Sequence, residues 1–166
     1  VGVRIRPLNQ KEKDADMEAC FTASEDASNV EESSEDGVRT KDWSVDYAFG
    51  DQCTNEFIFK TFGEPLCNNA FQGFNTVLFM YGQTSSGKTF TLFGGGGVEG
   101  VVGHTLEYMY NKAISSNDTE FIIKMSYAEL YNEELRDLLS PEANGNLKIY
   151  DDPMLGPIIQ GVTQED

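Results

Sequence analysis

Eight consecutive residues, Gly82-Gln83-Thr84-Ser85-Ser86-Gly87-Lys88-Thr89, have the types and spacing to hold a polyphosphate. They fit the pattern G-x-x-x-x-G-K-[ST]. A nucleoside triphosphate carries several negative charges that must be held away from water. Successive backbone N–H groups of such a loop point inward at the phosphate oxygens. Gly82 and Gly87 permit the tight backbone and its close approach to the ligand. Lys88 would reach the β- and γ-phosphates and act as the catalytic charge stabiliser, and the Thr89 hydroxyl would ligate Mg²⁺. A glycine- and serine-rich turn can match the bare pattern by chance, so the flanking elements decide its meaning.

Those elements have the required order. Thr76 to Tyr81 is a short apolar run of strand formers directly before the loop, and a brief helix is expected from Thr89. Further upstream, residues 1–8 alternate like a half-buried strand that Pro7 ends, and Trp43 to Phe49 returns to that alternation. Asn55 to Phe71 places Phe57, Ile58, Phe62, Leu66, Cys67, Ala70 and Phe71 on one helical face. Thr54 suits its N-cap, Gly73 its stop, and Pro65 should kink it. Phe93 to Gly97 reads as a hinge-like glycine loop, and Val101 to Ile114 as an amphipathic helix. Ser115 to Asp118 is a turn. Glu120 to Glu129 is expected as a strand, Glu133 to Leu139 as a helical turn, and Asn146 to Tyr150 and Pro157 to Thr163 as two more strands. Strands interleaved with helices around a phosphate loop imply an α/β sheet covered on both faces.

The stretch from Tyr81 to Thr89 strongly resembles the phosphate loop of kinesin motor domains. Val3-Arg4-Ile5-Arg6-Pro7-Leu8-Asn9 resembles that family's first core strand with its R-x-R-P element. Val45-Asp46-Tyr47-Ala48-Phe49 resembles F-D-x-V-F, with Val45 in place of the usual Phe. Gly73 to Phe79 resembles the G-Y-N-G-T-I-F run, and Ser126 to Leu139 is similar to S-Y-x-E-I-Y-N-E-x-I-R-D-L-L. The matches fall in family order and cover essentially the whole chain. It is identified as the N-terminal half of a kinesin-like motor domain, a single domain over residues 1–166. The resemblance implies a truncated P-loop NTPase-type motor fold with a mixed central sheet. It implies ATP and Mg²⁺ as ligands, microtubules (tubulin) as partner, and a cytoplasmic, cytoskeletal location.

The resemblance also places Arg4, Arg6 and Pro7 against the adenine ring, where a guanidinium can stack on the purine face. The alternative is that they simply end a strand at the surface. Phe90 stands where the family often has an imidazole, so it can stack on the base but cannot hydrogen-bond to it. Cofactor contacts are thus expected from Arg4, Arg6, Pro7, Gly82, Gln83, Thr84, Ser85, Ser86, Gly87, Lys88, Thr89 and Phe90. The family's N-x-x-S-S-R-S-H and D-x-A-G-S-E stretches, which sense the γ-phosphate and position water, do not occur in this sequence. The sequence therefore carries the binding half of the site, and the 166 residues alone are not expected to be hydrolytically competent.

Composition narrows the rest. The net charge of −16 argues against an intrinsic nucleic-acid or anionic-membrane surface. It also sits awkwardly with an acidic filament as partner, but much of the excess is local, crowded into residues 10–42. That stretch is expected as an acidic surface loop or insertion, with one short strand near Met17 to Thr22. A regulatory segment phosphorylated at Ser28, Ser33 or Ser34 is the alternative. Cys20, Cys53 and Cys67 form no C-x-x-C pair and read as free thiols, and His104 as a helix-start or surface histidine. No apolar run approaches the ~20 residues of a membrane span. Asp151 is set aside as a metal-side carboxylate because Lys148 interrupts its strand. Glu129, Glu133, Glu134, Arg136 and Asp137 read as a charged helix face with structural ion pairs. Tyr150 to Pro157 is assigned to the filament side. Residue 1 is not Met and reads as a strand interior, so it is expected to mark a cut, a processing site or an incomplete sequence. A generic P-loop kinase or GTPase is one rival reading, although Asn111-Lys112-Ala113-Ile114 fails the N-K-x-D guanine pattern. A truncated, non-motile nucleotide-binding module is the other. Direction, cargo, subfamily and oligomeric state would be set by regions outside this sequence.

Overall fold

The computed structural model describes residues 1–34, 36–140, 147–154 and 156–165. They form two compact units, Val1–Ser115 and Ser116–Asp166.

In the first unit the central pairing is parallel. Strand β1 (Gly2–Arg4) lies beside β5 (Tyr47–Phe49), with Val3 opposite Ala48. Between them in sequence come helix α1 (Gln10–Asp14) and the antiparallel strands β2 (Phe21–Ala23), β3 (Asn29–Ser33) and β4 (Arg39–Ser44). Residues 10–42 are therefore not simply an acidic loop: they carry a capped helix and most of a three-stranded sheet. Few apolar residues announce that sheet, because it buries little beyond Val30. It is held instead by its ladders, by Arg39 bridging Glu31 at 3.2 Å and Asp42 at 3.3 Å, and by Phe21 against Trp43. The β2–β3 turn is closed by Asp26, whose carboxylate accepts hydrogen bonds from the Ser24 and Ser28 hydroxyls and sits at about 2 for that reason.

The long helical segment starts where the sequence indicates. Thr54 caps α2 (Asn55–Ile58) by accepting the Phe57 N–H at 3.1 Å. A π-helical turn, Phe59–Gly63, joins it to α3 (Glu64–Phe71). The widened turn lies just before Pro65, which has no N–H to donate and whose ring would crowd a regular α-helical carbonyl. Thus the expected kink takes the form of a π-turn. Helix α4 (Lys88–Phe93) is short, and α5 (Val101–Ile114) has the expected bounds. The core gathers Phe49, Ile58, Phe59, Cys67 and Val101, with Tyr47, Phe62, Met80 and Tyr108 packed against it.

Two further expectations in this unit differ from the structure. Phe93 to Gly97 is no open hinge: β6 (Gly94–Gly95) pairs with β7 (Val98–Glu99) across a two-residue turn. And Thr76 to Tyr81 belongs to no helix and joins no ladder among the described residues. Met80 packs on the core while Val77 and Phe79 are 78% and 77% exposed. A cleft of about 490 Å³, bordered by Gly2, Phe49, Phe62 and Leu78, adjoins this segment and β1. The run has strand composition, but a strand is defined by its hydrogen-bonded neighbour, and the described residues supply none there.

Among its described residues the second unit carries two antiparallel hairpins, β8 (Ala128–Tyr131) with β9 (Glu134–Asp137) and β10 (Lys148–Asp152) with β11 (Gly156–Gln160). The expected strand Glu120 to Glu129 is reduced to a Met125–Glu165 bridge and the start of β8. The helical turn expected at Glu133 to Leu139 is instead the returning strand of a hairpin. Asn132 and Glu133 adopt φ of +49° and +65°, which reverses the chain. Within the charged cluster Arg136 pairs across the strands with Glu129 at 3.9 Å and along its own strand with Glu134 at 3.5 Å. Asp137 accepts the Thr163 N–H at 2.6 Å, tying the two hairpins together, and its carboxyl is lowered by that bond first. The expected start of a strand at Asn146 lies outside the described residues, as do Pro141, Leu155 and Asp166.

Thr54→Ala should destabilise the protein by about 1 kcal/mol through loss of the cap. Urea unfolding would measure it, and an unchanged midpoint would mean that the cap holds nothing.

Candidate nucleotide-binding site

Gly87 is the N-cap of α4 and takes φ +96°, a left-handed value that glycine adopts at little cost. The loop before it closes on itself: the Ser86 N–H donates to the Gln83 carbonyl at 3.2 Å, and Ser85 is held at φ +66°. At Gly82 a β-carbon would come within 2.7 Å of Ser86 Oγ, so the tight approach needs glycine there too. Lys88 folds back across the loop and donates from Nζ to the carbonyls of Gly82 and Gln83, both at 2.7 Å. These backbone contacts place its ammonium inside the curve of the loop. Thr89, exposed in the first turn of α4, offers a hydroxyl of the hard-oxygen type that Mg²⁺ accepts.

Behind the loop is a buried network that holds it to β1. Asn55 is 1% exposed. Its amide donates to the carbonyls of Phe90 at 3.0 Å and Glu99 at 2.9 Å, and its oxygen accepts from Arg4 at 2.6 Å. The Arg4 guanidinium also donates to the Cys53 carbonyl and the Thr91 hydroxyl, each at 2.8 Å. Thr91 passes the connection on, donating to the Gly87 carbonyl at 3.0 Å. Burial pulls the Arg4 guanidinium below its ordinary value, and these acceptors offset the loss of water. Arg4 is thus turned inward, although it also lies 5.5 Å from the centre of the Phe90 ring.

Arg6 holds the front of the loop. Its Nε donates to the Ser85 carbonyl at 3.0 Å, while its two terminal nitrogens grip Glu12 at 2.7 and 2.6 Å. Glu12 also accepts the Asn9 N–H, completing the capping box that starts α1. The Arg6 hydrogen bonds are the main reason that the Glu12 carboxyl lies at about 2. Between these parts opens a cleft of about 310 Å³, lined by Arg6, Pro7, Asn9, Ser85, Gly87 and Phe90 among others. The structure therefore brings the R-x-R-P element, Ser85 to Gly87 of the phosphate loop and Phe90 to one cleft, while Gly82, Gln83, Thr84, Lys88 and Thr89 are not among its lining residues.

Three contributors were not singled out in the sequence. Asn55 stands between Thr54 and Glu56 at the start of α2, and Thr91 follows Lys88, Thr89 and Phe90 in α4, so residue type alone marks neither. Glu12 is hidden by the acidic stretch around it, and only the Asn9-x-x-Glu12 spacing gives it away.

A family model described as the kinesin motor domain matches residues 4–166. The chain belongs to that family. It is 32% identical over 186 residues to mouse kinesin-like protein KIF16B, covering 99% of this chain and 14% of that protein. It is 33% identical over 170 residues to Caenorhabditis elegans kinesin-like protein klp-20, covering 98% of this chain and 26% of that one. Among solved structures it resembles KIF14 residues 391–755 with ADP in complex with a microtubule. There the TM-score is 0.81 and the identity 26%, over 98% of this chain and 48% of that one. This establishes the α/β kinesin motor fold, and the chain spans less than half the length of these relatives.

The depressed Glu12 carboxyl sets a pH dependence. A carboxylate lowered by folding stabilises the folded state above its ordinary value of 4.5 and loses that contribution as pH falls toward about 2. The stability difference between wild type and Glu12→Gln should be full at neutral pH and shrink below about pH 4.5. Denaturant unfolding across that range would measure it, and a difference that grows on acidification would contradict the Arg6–Glu12 assignment.

Proposed function

We propose that this chain is the nucleotide-binding part of a microtubule-based motor, which takes Mg·ATP at Gly82–Thr89. The observation that carries the reading is the Lys88 ammonium, held by two carbonyls inside a closed loop that opens onto the Arg6–Pro7–Phe90 cleft. A cation in that place meets the β- and γ-phosphates and stabilises the charge that moves during phosphoryl transfer. The backbone N–H groups of the loop cradle the phosphates. Thr89 holds Mg²⁺, which supplies further neutralisation of the phosphate charge.

Base recognition falls to Phe90, Pro7 and Arg6. Phe90 presents a ring face, and Arg6 is fixed by Glu12 and by the Ser85 carbonyl. Arg4 acts through Asn55 and Thr91, so it positions the loop. Kinship with the KIF14 segment, whose structure contains ADP and a microtubule, supports both an adenine nucleotide and a tubulin partner. Cytoskeletal association in the cytoplasm follows from that partner. The Tyr150–Pro157 hairpin region is a candidate contact with the filament, though Asp151 and Asp152 oppose an acidic surface. Hydrolysis coupled to movement belongs to the whole motor, because the γ-phosphate-sensing motifs are not in this sequence. The 166 residues by themselves bind nucleotide without turning it over.

Lys88→Ala in the full-length protein should lower microtubule-stimulated ATP turnover by about 10²–10³-fold, the usual scale for losing one transition-state charge contact. Turnover equal to wild type would remove Lys88, and the loop with it, from the reaction.

A further inference from the structure

Glu99, His104 and Glu107 lie away from the phosphate loop and bring one imidazole and two carboxylates together. One ligand atom from each lies within 4.8 Å of the other two. From these residues we propose a binding site for a divalent cation of the zinc class, clamping the end of the β6–β7 hairpin to the first turns of α5.

The sequence places the three groups in a simple way. His104 and Glu107 are three residues apart on α5 and share one face. Glu99 is the last residue of β7, and its carboxylate folds over the start of the helix until Oε2 is 3.7 Å from His104 Nδ1. Gly103 makes that fold possible, because a β-carbon at position 103 would collide with the Glu99 side chain. The imidazole is itself oriented from behind. Its ring packs on Phe59 of the π-turn with centroids 5.8 Å apart. The Glu99 backbone is also fixed, since its carbonyl accepts from the buried Asn55 amide.

The donor set selects the metal. One imidazole nitrogen and two carboxylate oxygens suit Zn²⁺ and its neighbours, whereas Mg²⁺ favours oxygen ligands and retains its waters. Zinc bonds of about 2.0–2.2 Å need the three atoms to draw closer than they stand. Both glutamates are exposed at the rim and can close on the ion, while His104 stays seated on Phe59. The positive end of the α5 dipole opposes a cation here. The two carboxylates outweigh that half-charge. A bare Glu99–His104 ion pair would account for two of the three groups, but gives Glu107 no part.

The test is Co²⁺ and Zn²⁺ titration of the intact protein with excess Mg²⁺ present, so that hard-oxygen sites are already satisfied. Saturable Co²⁺ binding should appear as visible d–d absorption of a nitrogen–oxygen site, reversed by Zn²⁺, and Zn²⁺ should raise the Tm. His104→Gln and Glu107→Gln should each weaken binding at least tenfold, while the exposed control Glu18→Gln leaves it unchanged. Glu107 is exposed, so its variant keeps the fold and carries the test even if His104→Gln does not. Lack of saturable binding overturns the proposal. So does binding that survives Glu107→Gln, or a sulfur-to-cobalt charge-transfer band, which would assign the metal to the cysteines.

Discussion

The buried amide of Asn55 must satisfy both of its N–H groups and its oxygen without water, and the geometry of the nucleotide cleft depends on how it does so. Its partners come from three places in the chain: Arg4 at the end of β1, the Phe90 carbonyl in α4, and the Glu99 carbonyl at the end of β7. Leaving a buried polar group unpaired costs about 1–3 kcal/mol, so the fold is confined to arrangements in which all three arrive together. That requirement fixes the start of α4 relative to the parallel pair β1–β5. It therefore fixes where the phosphate loop faces.

The front of the loop is constrained separately. Arg6 reaches the Ser85 carbonyl with one edge and Glu12 with the other, and Glu12 also begins α1. The two arginines of R-x-R-P thus divide the work, Arg4 from behind and Arg6 from in front. Between them the loop is also held by its own contacts, from Lys88 to the carbonyls of Gly82 and Gln83. Nucleotide binding would then exchange these carbonyl contacts for stronger ones to phosphate. The strongly acidic charge does not disturb the site, because much of it sits in the α1–β4 region, where Arg39 and turn hydroxyls absorb part of it.

Features with local causes were readable from the chain alone. The phosphate loop depends on two glycines, a lysine and their spacing. The Thr54 cap and the bounds of α5 depend on residues beside them. Features with distant causes were not. Thr76–Tyr81 has strand composition, yet its state depends on a neighbour that the described residues do not provide. Glu133–Leu139 has a helical distribution of leucines, but two positive φ angles at Asn132 and Glu133 turn it into a strand. The sheet β2–β4 has too few apolar residues to announce itself and is assembled by cross-strand pairs instead. At the site, the loop pattern and R-x-R-P were legible as motifs, and Ser85 to Gly87 share one cleft with Arg4, Arg6 and Pro7. Asn55 and Thr91 were not, since a polar residue in a helix pattern reveals its partner only once the chain is folded.

The central claim is that one preformed cleft takes the phosphates at Gly82–Thr89 and the base beside Arg6, Pro7 and Phe90. Amide hydrogen exchange of the intact protein with and without Mg·ADP tests it most directly. The account predicts slowed exchange in peptides covering residues 82–91 and 4–9 together. Nucleotide binding that leaves both segments unchanged, with protection elsewhere, would contradict it.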